Sequence, residues 1–186
     1  MINGGNMHLD KKGFTLIEVI VVAGIIAILA GILIPIIFKE IDEAKITRAQ
    51  ADVKSISTAI AVMQKDTGQK PNKEEAGGGC LESITMLRSS GVQPNLGVSG
   101  FSDSNPKAFS DYLNLNPGAC YSNWKGPYMA DVTADPWGRM YITNVIDFAA
   151  DSINFVWLLS AGPNGIVETQ VSSDVLMGDD IGIRLK

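Results

Sequence analysis

Histidine is almost missing from this sequence: His8 is the only one in 186 residues. Without a histidine beyond the first turn of chain, general-base and zinc chemistry lose their commonest side chain, and no glycine-rich nucleotide loop or paired-carboxylate motif takes its place. An enzyme is therefore not expected. Basic residues are also scarce, 15 Lys and Arg against 20 Asp and Glu, giving a formal charge of -5. They form no cluster with interleaved aromatics, so nucleic acid is not expected as a partner. Cysteine is limited to Cys80 and Cys120.

Charge is missing most conspicuously from Phe14 to Phe38, where Glu18 is the single ionisable residue. At 1.5 Å per residue this run spans roughly 37 Å as a helix, enough to cross a bilayer with some tilt. Lys11 and Lys12 precede it and favour an N-terminus on the cytoplasmic side. The run is too long for the core of a secretory signal peptide, and no convincing small-residue cleavage site follows it. It continues instead into a mixed-charge segment, predicting one helix from about Phe14 to about Lys65. Gly24, Gly31 and above all Pro35 predict a kink or a loosened turn inside it.

In the second half of that helix Ile46, Ala49, Val53, Ile56, Ile60 and Met63 recur at three- and four-residue steps, which makes one apolar stripe for docking against a head. Gly68 and Pro71 end the helix. Residues 72–123 are rich in Gly, Ser, Asn and Pro, with a triple glycine at 77–79, and predict loops with one or two short helices. Asp135-Pro136-Trp137-Gly138 reads as a tight turn feeding a strand over Arg139–Val145. A second run, Ile153–Ser160, places Ile153, Phe155, Trp157 and Leu159 on one face, and Ile181–Leu185 is a third. The fold class that follows is α+β: a long N-terminal helix packed on a small antiparallel sheet. If the head lies outside the cytoplasm, Cys80 and Cys120 read as a disulfide rather than as two buried thiols. Closing some forty residues, it would be worth about 4 kcal/mol in the loop-entropy model.

Lys11-Lys12-Gly13-Phe14-Thr15-Leu16-Ile17-Glu18 resembles the class III signal of type IV prepilins and pseudopilins. The resemblance implies cleavage by a prepilin peptidase after Gly13 and N-methylation of Phe14. Loss of the leader, residues 1–13, removes His8, Asp10, Lys11 and Lys12 and takes the formal charge from -5 to -6. Glu18 then stands out, because an ionised group inside a bilayer costs about 2.5–3.5 kcal/mol and calls for a partner. The family supplies one, the Phe14 amine of a neighbouring subunit. Solvation of Glu18 at headgroup level is the alternative.

A second set of residues, Trp124-Lys125-Gly126-Pro127-Tyr128-Met129 and Asp135–Tyr141, together with the helix exit Asp66–Pro71, looks like the major pseudopilin of type II secretion. The organisation implied is a cleaved leader 1–13, a hydrophobic assembly helix 14–38, an amphipathic helix 39–66 and a head 67–186 with an insertion at 72–123 and a C-terminal antiparallel sheet at 139–186. Implied partners are further copies in a homopolymer filament, the prepilin peptidase and methylase, an inner-membrane assembly platform with its ATPase, minor pilins or pseudopilins, and membrane lipid before assembly. The location implied is the inner membrane, single pass with the N-terminus cytoplasmic, and then a periplasmic or extracellular filament. The resemblance also implies calcium in the loop Ala161–Asp180, with Asn164, Asp179 and Asp180 as candidate ligands. Asn164 stands where the family usually has aspartate. The extra surface of residues 72–123 suits a surface pilin for adhesion, motility or DNA uptake, the alternative to a secretion filament.

Overall fold

Helix α1, Leu16–Thr67, supplies more than a quarter of the chain. The computed structural model describes residues 13–186; Lys11, Lys12 and the rest of the leader before Gly13 lie outside the described residues. The chain falls into two compact units, with the boundary after Asp42.

In the first unit α1 runs without interruption through Gly24, Gly31 and Pro35. No side chain from Phe14 to Asp42 is buried, and Ala30 alone is half-buried. Its Ile and Val residues are not strong helix formers in water. A helix is nevertheless the form in which such a segment satisfies its own backbone groups inside lipid.

The second unit contains the rest of α1 and the head. Ala49, Val53, Ile56, Ala59, Ile60 and Met63 are buried, following the predicted stripe, while Ile46 at its start is half-buried. Each large one contributes about 1.5–3 kcal/mol of burial. The helix ends at Thr67, whose Oγ1 donates to Met63 O at 2.8 Å and accepts from Gln69 N at 3.1 Å. Gly68 follows with φ +68°, and its N–H bonds Gln64 O at 2.8 Å. A left-handed glycine just past the last turn is a common helix stop.

The head is built on a five-stranded sheet and a separate hairpin. The hairpin joins β1 (Lys73–Ala76) to β2 (Gly79–Glu82). The sheet contains β3 (Met86–Arg88), β4 (Pro106–Ala108), β5 (Ile142–Thr143), β6 (Trp157–Ser160) and β7 (Ile181–Arg184), in the order β4-β3-β5-β6-β7. Helix α2, Phe109–Leu113, follows β4 directly. The C-terminal strands β5, β6 and β7 pair antiparallel, whereas β3 and β4 pair parallel, so the sheet is mixed.

Residues 72–123 therefore hold more order than their composition predicts, contributing four strands. The strand expected over Arg139–Val145 is shortened to β5, because Val145–Phe148 turns into a 3-10 helix. β6 starts only at Trp157. Leu158 packs with Ile56, Ile60 and Met63 of α1, while Trp157 and Leu159 pack on the opposite face with Met86, Phe101, Ile142, Val167 and Val171. Burial on both faces explains the unbroken apolar run of β6. Phe155 joins the second cluster as predicted, but Ile153 does not and is 95% exposed.

Candidate functional site

At the start of α1, Gly13, Phe14 and Thr15 precede the first turn without regular secondary structure. Thr15 Oγ1 accepts the Glu18 N–H at 3.4 Å, and its hydroxyl lies 3.5 Å from Glu18 Oε2. These are long, exposed contacts of a capping-box kind, and an acid in the first turn also suits the positive end of the helix dipole. Glu18 thus has a local role in starting the helix, but one that leaves its carboxylate accessible. Phe14 is exposed as well. The Gly13–Phe14 bond lies just before the helix, with both residues exposed, and from Leu16 the helix is apolar and long enough to cross a membrane.

In the head, Cys80 of β2 and Cys120 form a disulfide with Cα atoms 5.5 Å apart, closing 40 residues. It anchors the hairpin together with Tyr121, whose hydroxyl accepts the Lys73 N–H at 3.0 Å and donates to Lys73 O at 3.2 Å. Glu74 is the third anchor, with Lys107 Nζ at 2.7 Å, Ser83 Oγ at 2.6 Å and Asn105 Nδ2 at 2.5 Å. The hydrogen bond and charge of Lys107, with the hydrogen bonds of Ser83 and Asn105, hold the Glu74 carboxyl down to about 2.

The Asp135–Arg139 turn is built around one buried carboxylate. Asp135 Oδ1 accepts from Trp137 N at 3.0 Å and Arg139 N at 2.8 Å, and Oδ2 accepts from Ser160 Oγ at 2.5 Å. Gly138 N–H closes the turn on Asp135 O at 2.9 Å, with φ +81° at Gly138. Tyr141 then donates its hydroxyl to Asp52 of α1 at 2.9 Å. These residues are structural: they tie strand, turn and helix together.

In the loop Ala161–Asp180 two of the three candidate cation residues, Asn164 and Asp179, touch, while Asp180 bonds the main chain at Glu168 and Thr169. Asn164 N–H donates to Asp179 Oδ2 at 2.9 Å, and Asp180 Oδ2 accepts from Glu168 N at 2.9 Å and Thr169 N at 2.6 Å. Asp179 Oδ1 and Asp180 Oδ1 are buried with no hydrogen-bond partner. Burial raises the Asp180 carboxyl above its ordinary value, against the pull of its Thr169 and Glu168 hydrogen bonds. Glu168, which the acid pattern of the loop does not single out, closes the cluster: Oε2 accepts from Asp179 N at 3.1 Å and Asn164 Nδ2 at 3.2 Å. Its place four residues after Asn164 in the same turn is the one signal the sequence offers for it. Arg139 clamps the loop from outside, donating to Gly162 O at 2.9 Å.

Two buried carboxylate oxygens without donors fit a hard cation. Asn164 fits less well, since its Oδ1 already accepts the Ile166 N–H at 2.7 Å. Among the described residues no group of three or more His, Cys, Asp or Glu side chains is placed to hold a metal, so main-chain and amide oxygens would complete the set.

Comparison with known proteins agrees with both ends of the chain. The family described as the prokaryotic N-terminal methylation motif matches residues 9–34. The type II secretion system core protein G of Pseudomonas aeruginosa is 28% identical over 133 residues, 71% of this chain and 72% of that protein. The protein of the same name from Escherichia coli is 27% identical over 161 residues, 86% of this chain and 87% of its own length. A third, from Pectobacterium carotovorum, is 27% identical over 117 residues, 61% of this chain and 72% of that protein. No solved structure matches. With a methylation motif at its N-terminus, a long apolar helix and an α+β head, the chain is similar over most of its length to core protein G and resembles the pseudopilins of the type IV pilin superfamily.

Proposed function

We propose that this chain is a pseudopilin, the repeating subunit of a type II secretion filament, cut after Gly13, methylated on Phe14, held in the inner membrane by α1 and then polymerised in the periplasm to drive protein export. The observation that carries the reading is the uninterrupted apolar helix from Leu16 to Phe38, whose side chains, Ala30 aside, are exposed among the described residues and call for lipid before assembly and other copies after it. Glu18 would meet the Phe14 amine of the neighbouring copy, giving an intramembrane acid its counter-charge. The prepilin peptidase and methylase, the inner-membrane platform and its ATPase and the minor pseudopilins are the partners this route requires.

Deletion of the gene, followed by quantitative proteomics of medium and periplasm and electron microscopy of the cell surface, tests the reading. Exported proteins stranded in the periplasm are the expected result. An unchanged secretome with surface filaments lost would replace it with a pilus.

Calcium in the Ala161–Asp180 loop is part of the same proposal, supported by the two donor-less oxygens of Asp179 and Asp180. Bound there, the ion would neutralise the loop's acids and fix its backbone. Chelation should lower the melting temperature of the full chain in detergent by several degrees, with calcium restoring it, through mass action on the folded state. An identical melt in EDTA and in calcium would remove the ion from the proposal.

A further inference from the structure

The turn between the 3-10 helix Val145–Phe148 and β6 is held more firmly than a surface connection requires. The Asp147 carboxylate accepts from Asn144 Nδ2 at 2.7 Å, Ser152 Oγ at 2.7 Å and Asn154 Nδ2 at 3.0 Å. From the other side, Lys186 Nζ donates to three carbonyls of the same turn, Asp147 O at 2.8 Å, Ala149 O at 3.0 Å and Ser152 O at 3.0 Å. This framework carries Ile153 at 95% exposure, with the charged Asp151 two residues before it. A large apolar side chain on a pre-ordered turn loses little entropy when it is covered, which is how an interface anchor is built.

The exposed face of α1 offers the complement. Lys54, Thr58, Ala61, Val62 and Lys65 follow one another at helical spacing and all face solvent, opposite the buried stripe. Val62 is 42% exposed and sits between two cations. Neither Lys54, Lys65 nor Asp151 makes an ion pair among the described residues. One surface therefore presents a fixed apolar knob beside a negative charge, and another surface of the same chain a shallow apolar step between positive charges.

We propose that the Asp151–Ile153 turn of one subunit docks on the Lys54–Lys65 face of α1 in a second copy. Ile153 covers Val62 and Ala61, and Asp151 pairs with Lys54 or Lys65. The two patches differ, so the contact is heterologous, head to tail, and generates an open helical filament rather than a closed dimer. The inference rests on the filament reading above and adds to it a head contact outside the apolar segment.

Thiol crosslinking in the full chain tests it, because the native cysteines are both consumed in the disulfide and leave no free thiol. Cells assembling filaments of the Val62→Cys, Ile153→Cys double variant should yield, on mild oxidation, a ladder of covalent multimers of this chain. Each single variant should yield far less. Ile153→Asp should cut filament yield about tenfold with the monomer's melting temperature unchanged, while Val98→Ser, at a residue 90% exposed in another loop, should leave the yield at wild type. Filaments of the double variant at wild-type yield with no ladder, or a crosslink to a protein of another mass, would overturn the contact and leave the filament reading standing. Failure of the wild type itself to assemble would overturn both.

Discussion

Between Phe14 and Asp42 no side chain is buried, whereas between Glu43 and Thr67 the same helix buries Ala49, Val53, Ile56, Ala59, Ile60, Met63 and Thr67. Both stretches are apolar enough to need covering. The second is apolar on one side only and finds its cover within the chain, in Leu87, Phe109, Tyr141 and Leu158. The first, as far as Phe38, is apolar all round apart from Glu18, a pattern that suits lipid or many neighbours rather than one sheet. One helix thus carries an intermolecular address written next to an intramolecular one.

Substitutions in the two halves should separate these roles. The largest effect is expected from Glu18→Gln, which should reduce filament yield by about tenfold or more, with the melting temperature of the detergent-solubilised subunit unchanged; normal assembly would sink the pairing with the Phe14 amine. Ile56→Ala should do the reverse in the first instance, costing about 2–5 kcal/mol of head stability, or roughly 5–15 °C in a melt. Membrane insertion and cleavage at Gly13 should persist, as read by intact mass.

A smaller effect sharpens the comparison within the head. Glu74→Gln removes a carboxylate held down to about 2 by Lys107, Ser83 and Asn105, from an ordinary 4.5. A depressed acid stabilises the fold at pH values above its unfolded pKa and loses that contribution as pH falls toward the folded one. The variant should therefore melt a few degrees below wild type at pH 7, with the gap closing between about 4.5 and 2. A gap independent of pH would mean that Glu74 anchors the hairpin by shape alone.

Helical period makes α1 legible to within two residues at either end, because fifty residues give many turns over which a stripe or a uniform apolar run declares itself. The Asp135–Gly138 turn is legible from its residue types. The sheet is legible only in part. β3 and β4 have three residues each and β5 two, too few for alternation to show, and their place in the sheet depends on partners distant in sequence. Ile153 belongs to the alternating pattern of β6 but not to the strand, because the chain there is a turn that Asp147 and Lys186 hold by polar contacts, which hydropathy does not register. In the cation loop the acids are visible in the sequence, but the bond from Glu168 to Asp179 is not.

The hydroxyl of Tyr141, donated to Asp52, gives the head an optical signature. Burial and that carboxylate push its ionisation well above the ordinary 10, burial does the same for Tyr112, and Tyr121 is pushed up to about 12. Absorbance of tyrosinate in an alkaline titration should therefore lag in the folded subunit, and the share that Tyr141 contributes should rise when the sheet leaves α1. The chain carries its own reporter of whether the two are joined, readable without a label in monomer and filament alike.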